Sequence, residues 1–226
     1  MVLLLINLKG TLPFHGNMGE LRIHSVRLPR ACSYSEKIRN GLLQLPCLRV
    51  LVLEFTEYQS YSDIIHTIGI FKEIEHFEEL VIFCKRWDSN FSRNYDWQWY
   101  YGEIWEFIKS VRHFLRDQEN LKKFTLGIYK FSYHDISKFF SKARHPHKLE
   151  ELNLEVTYGE KALLPQDANA TNEMMVDLSN KISRFENLKT LKIALYDLKG
   201  WNEESIFKFS HILGTCKNLE SIYIIG

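Results

Sequence analysis

The side chains in this sequence whose chemistry could matter are nine histidines, four cysteines and the adjacent carboxylates Glu78-Glu79 and Glu150-Glu151. His145-Pro146-His147 is the one close histidine pair. A zinc site would need further ligands at matching geometry, and this pair falls in a loop before a strand, so surface turn histidines are the simpler reading. Cys32, Cys47, Cys84 and Cys216 are far apart and show no Cys-x-x-Cys spacing, which indicates neither a metal site nor a dense disulfide framework. Reduced, buried thiols follow, with Cys84 on a core letter, and they favour an intracellular, cytoplasmic setting. Glu78-Glu79 and Glu150-Glu151 look like paired general acid and base groups, yet neighbouring strand residues face opposite sides and cannot share one site. No Gly-x-Ser-x-Gly, Walker loop or dinucleotide glycine pattern occurs. Neither a catalytic residue nor a cofactor is expected.

A second chemistry is recognition. The stretch from Lys85 to Gly102 carries Trp87, Tyr95, Trp97, Trp99 and Tyr100 together with Arg86 and Arg93, and with Trp105 it holds four of the five tryptophans. Large rings remove much area from water at little rotamer cost, so this composition fits a binding hot spot on a loop. The competing reading is a loop folded back as a cover on its own repeat. Stacking on single-stranded nucleic acid also uses aromatic and basic residues. Asp88 and Asp96 interleave here, however, and 29 basic against 28 acidic residues leave a net charge of +1 with no general nucleic-acid footprint.

The elements that must position these groups recur. Read as L-x-x-L-x-L-x-L, the apolar letters are Leu48/Leu51/Leu53/Phe55, Phe77/Leu80/Ile82/Cys84, Leu121/Phe124/Leu126/Ile128, Leu149/Leu152/Leu154/Val156, Leu188/Leu191/Ile193/Leu195 and Leu219/Ile222/Ile224, with a weaker copy at Met18/Leu21/Ile23. From first letter to first letter the steps are 30, 29, 44, 28, 39 and 31 residues, a period of about thirty with two insertions. The second and third letters are two apart, so each copy predicts a short strand with one apolar face. Between copies lie helical spacings such as Ile64, Ile68 and Phe71, or Ile104, Phe107, Ile108, Val111 and Leu115. Ser62 and Asn202 are expected N-caps with acidic residues in the first turn, and a short helix is expected near Ser35 to Gln44. The second insertion, Tyr158 to Thr171, contains Gly159 and Pro165 and predicts a loop. One strand-helix unit cannot cover its own apolar face, so neighbours must stack.

This line resembles the leucine-rich repeat, and its length with an outer helix is similar to the ribonuclease-inhibitor-like variety. Glu119-Asn120-Leu121-Lys122-Lys123-Phe124, Glu186-Asn187-Leu188-Lys189-Thr190-Leu191 and Lys217-Asn218-Leu219-Glu220-Ser221-Ile222 carry the resemblance, which spans residues 18 to 226. It implies an α/β solenoid, with a parallel sheet on the concave side and helices on the convex side, as a single domain over 1-226. The family usually places Asn or Cys five residues after the second letter. Here Thr56, Lys85, Tyr129, Thr157 and Tyr196 stand there, which implies an irregular solenoid.

In such a family the concave side chains meet the partner. Val50, Val52, Val81 and Phe83 fall together on that face and form an apolar patch, and Glu151, Asn153 and Glu155 follow as a polar stretch. Tyr223 and Ile225 lie in the same columns of the last copy. That copy, Leu219 to Gly226, predicts an apolar edge strand without a polar cap, so either the chain belongs to a longer protein or the edge is covered inside an assembly. Met1 to Leu8 reads as a buried first strand rather than a secretory leader, and no segment approaches a membrane span. Apolar residues at 45% and charged residues at 25% suit a packed globular chain.

The expectation is a non-catalytic protein-interaction scaffold within a multi-subunit complex. One alternative is the substrate-recognition subunit of a ubiquitin ligase, although nothing resembling an F-box helix bundle precedes the repeats. Another is an enzyme with a doubly wound parallel sheet, whose strands would not recur as near copies.

Overall fold

The computed structural model describes residues 19–24, 39–55, 61–72, 74, 76–84, 97–129, 139–140, 148–157, 168–196 and 203–225. The chain divides into two compact units, Met1–Leu121 and Lys122–Gly226. In the first, strands β1 (Glu20–His24), β2 (Val50–Phe55) and β3 (Glu79–Cys84) accompany helices α1 (Tyr61–Phe71) and α2 (Trp97–Arg116). In the second, β4 (Lys123–Tyr129), β5 (Glu151–Thr157), β6 (Thr190–Tyr196) and β7 (Ser221–Ile225) accompany α3 (Ala168–Ile182) and α4 (Glu203–Leu213). Residues 39–43 add a short helical segment before β2.

Within each unit the strands pair in parallel and in chain order. Glu20, Val50 and Glu79 align in the first unit. Lys123, Glu151, Thr190 and Ser221 align in the second. This is the register that superposing the sequence copies predicts. It is fixed because a slip by one residue would turn every apolar side chain to the wrong face.

Burial follows the pleat. In β3, Leu80, Ile82 and Cys84 are buried while Glu79, Val81 and Phe83 are half-buried. Leu152, Leu154 and Val156 alternate in the same way with Glu151, Asn153 and Glu155 in β5. The helices carry buried stripes of their own: Ile64, Ile68 and Phe71 of α1 and Phe107, Val111 and Phe114 of α2 in the first unit, and Met175, Leu178 and Ile182 of α3 with Phe209 and Leu213 of α4 in the second. Aromatic contacts lock these layers. Phe77 meets Phe114 edge-on at 6.1 Å, and Phe124, Phe139, Phe140 and Phe185 form a chain with centroid spacings of 6.1, 4.9 and 6.1 Å. Each such pair contributes about 0.5–1.5 kcal/mol beyond area burial.

Helix exits repeat as well. Leu45 N–H donates to Leu42 O and Leu48 N–H to Leu45 O, and the same two steps recur through Leu115, Gln118 and Leu121, through Ile182, Phe185 and Leu188, and through Leu213, Cys216 and Leu219. The tight turns bring each chain segment from its helix to the start of the next strand. Gln118 is the buried polar member of this series, and its Nε2 donates to Ile74 O at 2.7 Å. A second recurrence follows each exit. One carbonyl accepts two successive N–H groups from the neighbouring segment: Gly19 O from Arg49 and Val50, Arg49 O from Glu78 and Glu79, Lys122 O from Glu150 and Glu151, Glu150 O from Lys189 and Thr190, and Lys189 O from Glu220 and Ser221.

Three local expectations change. The aromatic stretch taken as a loop through Gly102 is helical from Trp97 onward, as the first turns of α2. Helix α3 begins at Ala168, inside the stretch expected to be loop through Thr171. Ser62, expected to cap from outside, lies within α1, with Asp63 as the acidic residue of the first turn. Helix α4 starts at Glu203 as expected, with Glu203 and Glu204 in its first turn. The Met1 to Leu8 segment, Asn202, the His145-Pro146-His147 pair and residues 158–167 lie outside the described residues.

The two faces of one strand should therefore respond differently to truncation. Leu152→Ala is expected to cost about 2–5 kcal/mol in denaturant unfolding. The neighbouring Asn153→Ala should stay within about 1 kcal/mol. Equal losses would contradict the assigned faces.

Candidate partner-binding faces

Groups in the columns opposite the buried face are spaced two apart along each strand and sit one strand from their column neighbours. In the first unit Val50 pairs in register with Glu79, Val52 with Val81, and Glu54 with Phe83. Val50, Val81 and Phe83 are half-buried and present apolar surface. Val52 is different: at 3% exposure it is inaccessible, so it supports the patch without offering contact area. Glu20 and Arg22 form an ion pair at one side of this face.

In the second unit the equivalent columns are polar at first and apolar toward β7. Glu151 lies 3.6 Å from both Lys123 and Lys192, bridging β4, β5 and β6. Lys192 Nζ in turn stands 5.6 Å from the centroid of the Tyr223 ring, a cation-π contact that orients an exposed aromatic. Tyr223 and Ile225 are 52% and 54% exposed. Side chains of this kind, held by a neighbour yet open to solvent, are suited to contact with another protein. The structure thus brings Val50, Val81 and Phe83 together in one unit and Tyr223 with Ile225 in the other. For Trp97, Trp99 and Tyr100 it fixes only the helical backbone, and Trp87 and Tyr95 lie outside the described residues.

Sequence reasoning missed a row of charges one residue before each strand from β2 onward. Arg49 and Glu78 lie 3.6 Å apart in the first unit. In the second the row reads Lys122, Glu150, Lys189, Glu220, alternating in sign. Lys189 Nζ donates to Glu150 Oε2 at 2.8 Å. That hydrogen bond, with the charges of Lys189, Lys122 and Lys123, holds the Glu150 carboxyl below its ordinary range, and Glu150 likewise raises Lys189. A depressed carboxylate favours the folded state above its unfolded pKa and loses that contribution as pH falls through the folded value. The row also settles the carboxylate pairs: Glu150 turns to Lys189 and Glu151 to Lys123 and Lys192, so the two do not share a site.

Among the described residues no group of three His, Cys, Asp or Glu side chains could hold a metal ion. No described helix is long and apolar enough to cross a membrane. Cys47, Cys84 and Cys216 are free thiols. Burial pushes the Cys84 thiol up to about 12, leaving it protonated and unreactive near neutral pH. No family model matches the chain, and no curated protein matches it.

Cys47 is exposed and Cys84 buried, which separates them chemically. In the native protein at neutral pH, a maleimide is expected to label Cys47 promptly and Cys84 only after denaturant is added, as read by peptide mass spectrometry. Comparable native labelling of Cys84 would contradict the packing of β3.

Proposed function

We propose that the chain is a leucine-rich-repeat-like solenoid acting as a non-catalytic protein-interaction scaffold in a larger intracellular assembly. The observation that carries this reading is the contrast between the two faces of the strands. One face is buried, while the other keeps Val50, Val81, Phe83, Tyr223 and Ile225 partly or largely open to solvent. Apolar side chains on an open sheet face cost hydration free energy unless something covers them, and a protein partner is the natural cover.

Strand order weighs in the same direction. A doubly wound enzyme reverses its strand order at a crevice and covers both sheet faces with helices. Here the order follows the chain without reversal in each unit. The recurring carbonyl that accepts two N–H groups is what stacked copies of one unit would produce. A partner with an apolar anchor and a basic flank fits Val81 and Phe83 beside Glu79 and Glu54. The near-balanced charge gives no reason to invoke nucleic acid.

Val81→Glu combined with Phe83→Glu tests this reading, because neither side chain belongs to the sealed face. Far-UV circular dichroism should stay unchanged while affinity purification at native expression levels loses the protein partner recovered with the unmodified chain. Undiminished recovery would reject the first-unit patch as the contact.

A further inference from the structure

Four helix exits are closed by the same pair of backbone hydrogen bonds, and a fifth departs from the pattern. Leu45, Gln118, Phe185 and Cys216 hold one equivalent position: each donates its N–H back to its helix, and its carbonyl accepts the N–H of the residue three places on, at 3.1, 3.3, 3.1 and 3.3 Å. Ile74 holds that position in the remaining copy. Its N–H donates to Phe71 O at 3.0 Å, but the second bond, from Phe77 N–H to Ile74 O, is not formed between these two described residues. His76, which would lie inside that turn, has no turn conformation.

The Ile74 carbonyl is taken instead by a side chain of the next copy. Gln118 Nε2 donates to Ile74 O at 2.7 Å, across 44 residues of sequence. The longest step between copies, from Phe77 to Leu121, has the same length, so Ile74 and Gln118 occupy one place in successive copies. That place is apolar elsewhere, at Leu45, Ile74, Phe185 and Cys216, and Gln118 is fully buried in it. An amide there carries a cost, because its Oε1 is also buried and has no hydrogen-bond partner. What it supplies is a donor to a buried carbonyl, whose loss of a partner would be costly in turn.

We propose that Gln118 is a conformational latch, its amide standing in for the missing backbone turn and pinning the exit of α2 to the approach of β3. The edge-on contact of Phe77 with Phe114 joins the same two segments, but apolar contact is non-directional and tolerates sliding. A hydrogen bond between equivalent positions of two copies admits one alignment. It acts where the connection is longest and chain connectivity constrains the two ends least. The latch belongs to the fold and stands apart from the interaction-scaffold reading.

Two substitutions test it. Gln118→Met keeps the length of the side chain and removes the donor, and Gln118→Leu introduces the residue that Leu45 supplies in another copy. Amide hydrogen exchange by NMR on the full 226-residue protein then compares Ile74 with Leu45, whose N–H groups make equivalent bonds to Phe71 O and Leu42 O, both at 3.0 Å. Exchange at Ile74 should quicken about tenfold in either variant while Leu45 is unchanged. Unaltered exchange at Ile74 would mean that the amide is merely tolerated in the core. Equal acceleration at Ile74 and Leu45 would mean general loosening rather than release of a latch. Either result overturns the proposal, and either variant suffices to obtain it.

Discussion

Every strand in this protein has one apolar face that it cannot cover by itself, and that constraint organises the rest. Leu51 and Leu53, Leu80 and Ile82, Leu152 and Leu154, and Leu191 and Ile193 are removed from water, and in each case a parallel neighbour lies beside the strand. At about 25 cal/mol per Å² of apolar surface, this burial is the dominant favourable contribution, and it is realised only when neighbouring strands align. Alignment is enforced where each segment arrives: one carbonyl receives two N–H groups, and side chains of opposite charge meet beside it. The exposed ion pairs add little stability individually. Their greater consequence is for register, because a shift of one position would set the row of charges against the wrong columns.

The same constraint leaves surfaces over. One face of the strands is buried, and the opposite columns keep side chains that are partly open. In the first unit they are apolar at Val50, Val81 and Phe83. In the second they run from the Lys123, Glu151 and Lys192 cluster to Tyr223 and Ile225. Ile222 on β7 is 39% exposed, whereas its counterpart Leu191 is fully buried.

Much of the fold was legible because its signal is a period. Two-residue alternation in Leu152, Leu154 and Val156 or Leu80, Ile82 and Cys84 marks strands, and superposing the copies yields the observed pairings without reference to coordinates. Helix onsets were harder to read. The aromatic content of Trp97 to Tyr101 predicts loop, although no Gly or Pro interrupts the chain between Lys85 and Tyr101 and the apolar helical spacing continues downstream from Ile104. Ala168 and Ala170 were grouped with the preceding Pro165 loop, yet alanine is the strongest helix former. Burial on the open face depends on neighbours, so Val52 and Val81 look alike in sequence and differ in accessibility. The charge row needed the register first, because its partners lie as far as 39 residues apart.

Parallel strands in one register within a unit make a direct claim about the backbone. Native-state hydrogen exchange of the second unit measures it at six amides, those of Glu150, Glu151, Lys189, Thr190, Glu220 and Ser221, which donate in pairs to the Lys122, Glu150 and Lys189 carbonyls. Protection well above that of an unstructured chain at all six, lost together as denaturant is raised, is the expected result. Exchange at unprotected rates at either member of any pair, with the rest of the unit still folded, would contradict the stacking on which the account is built.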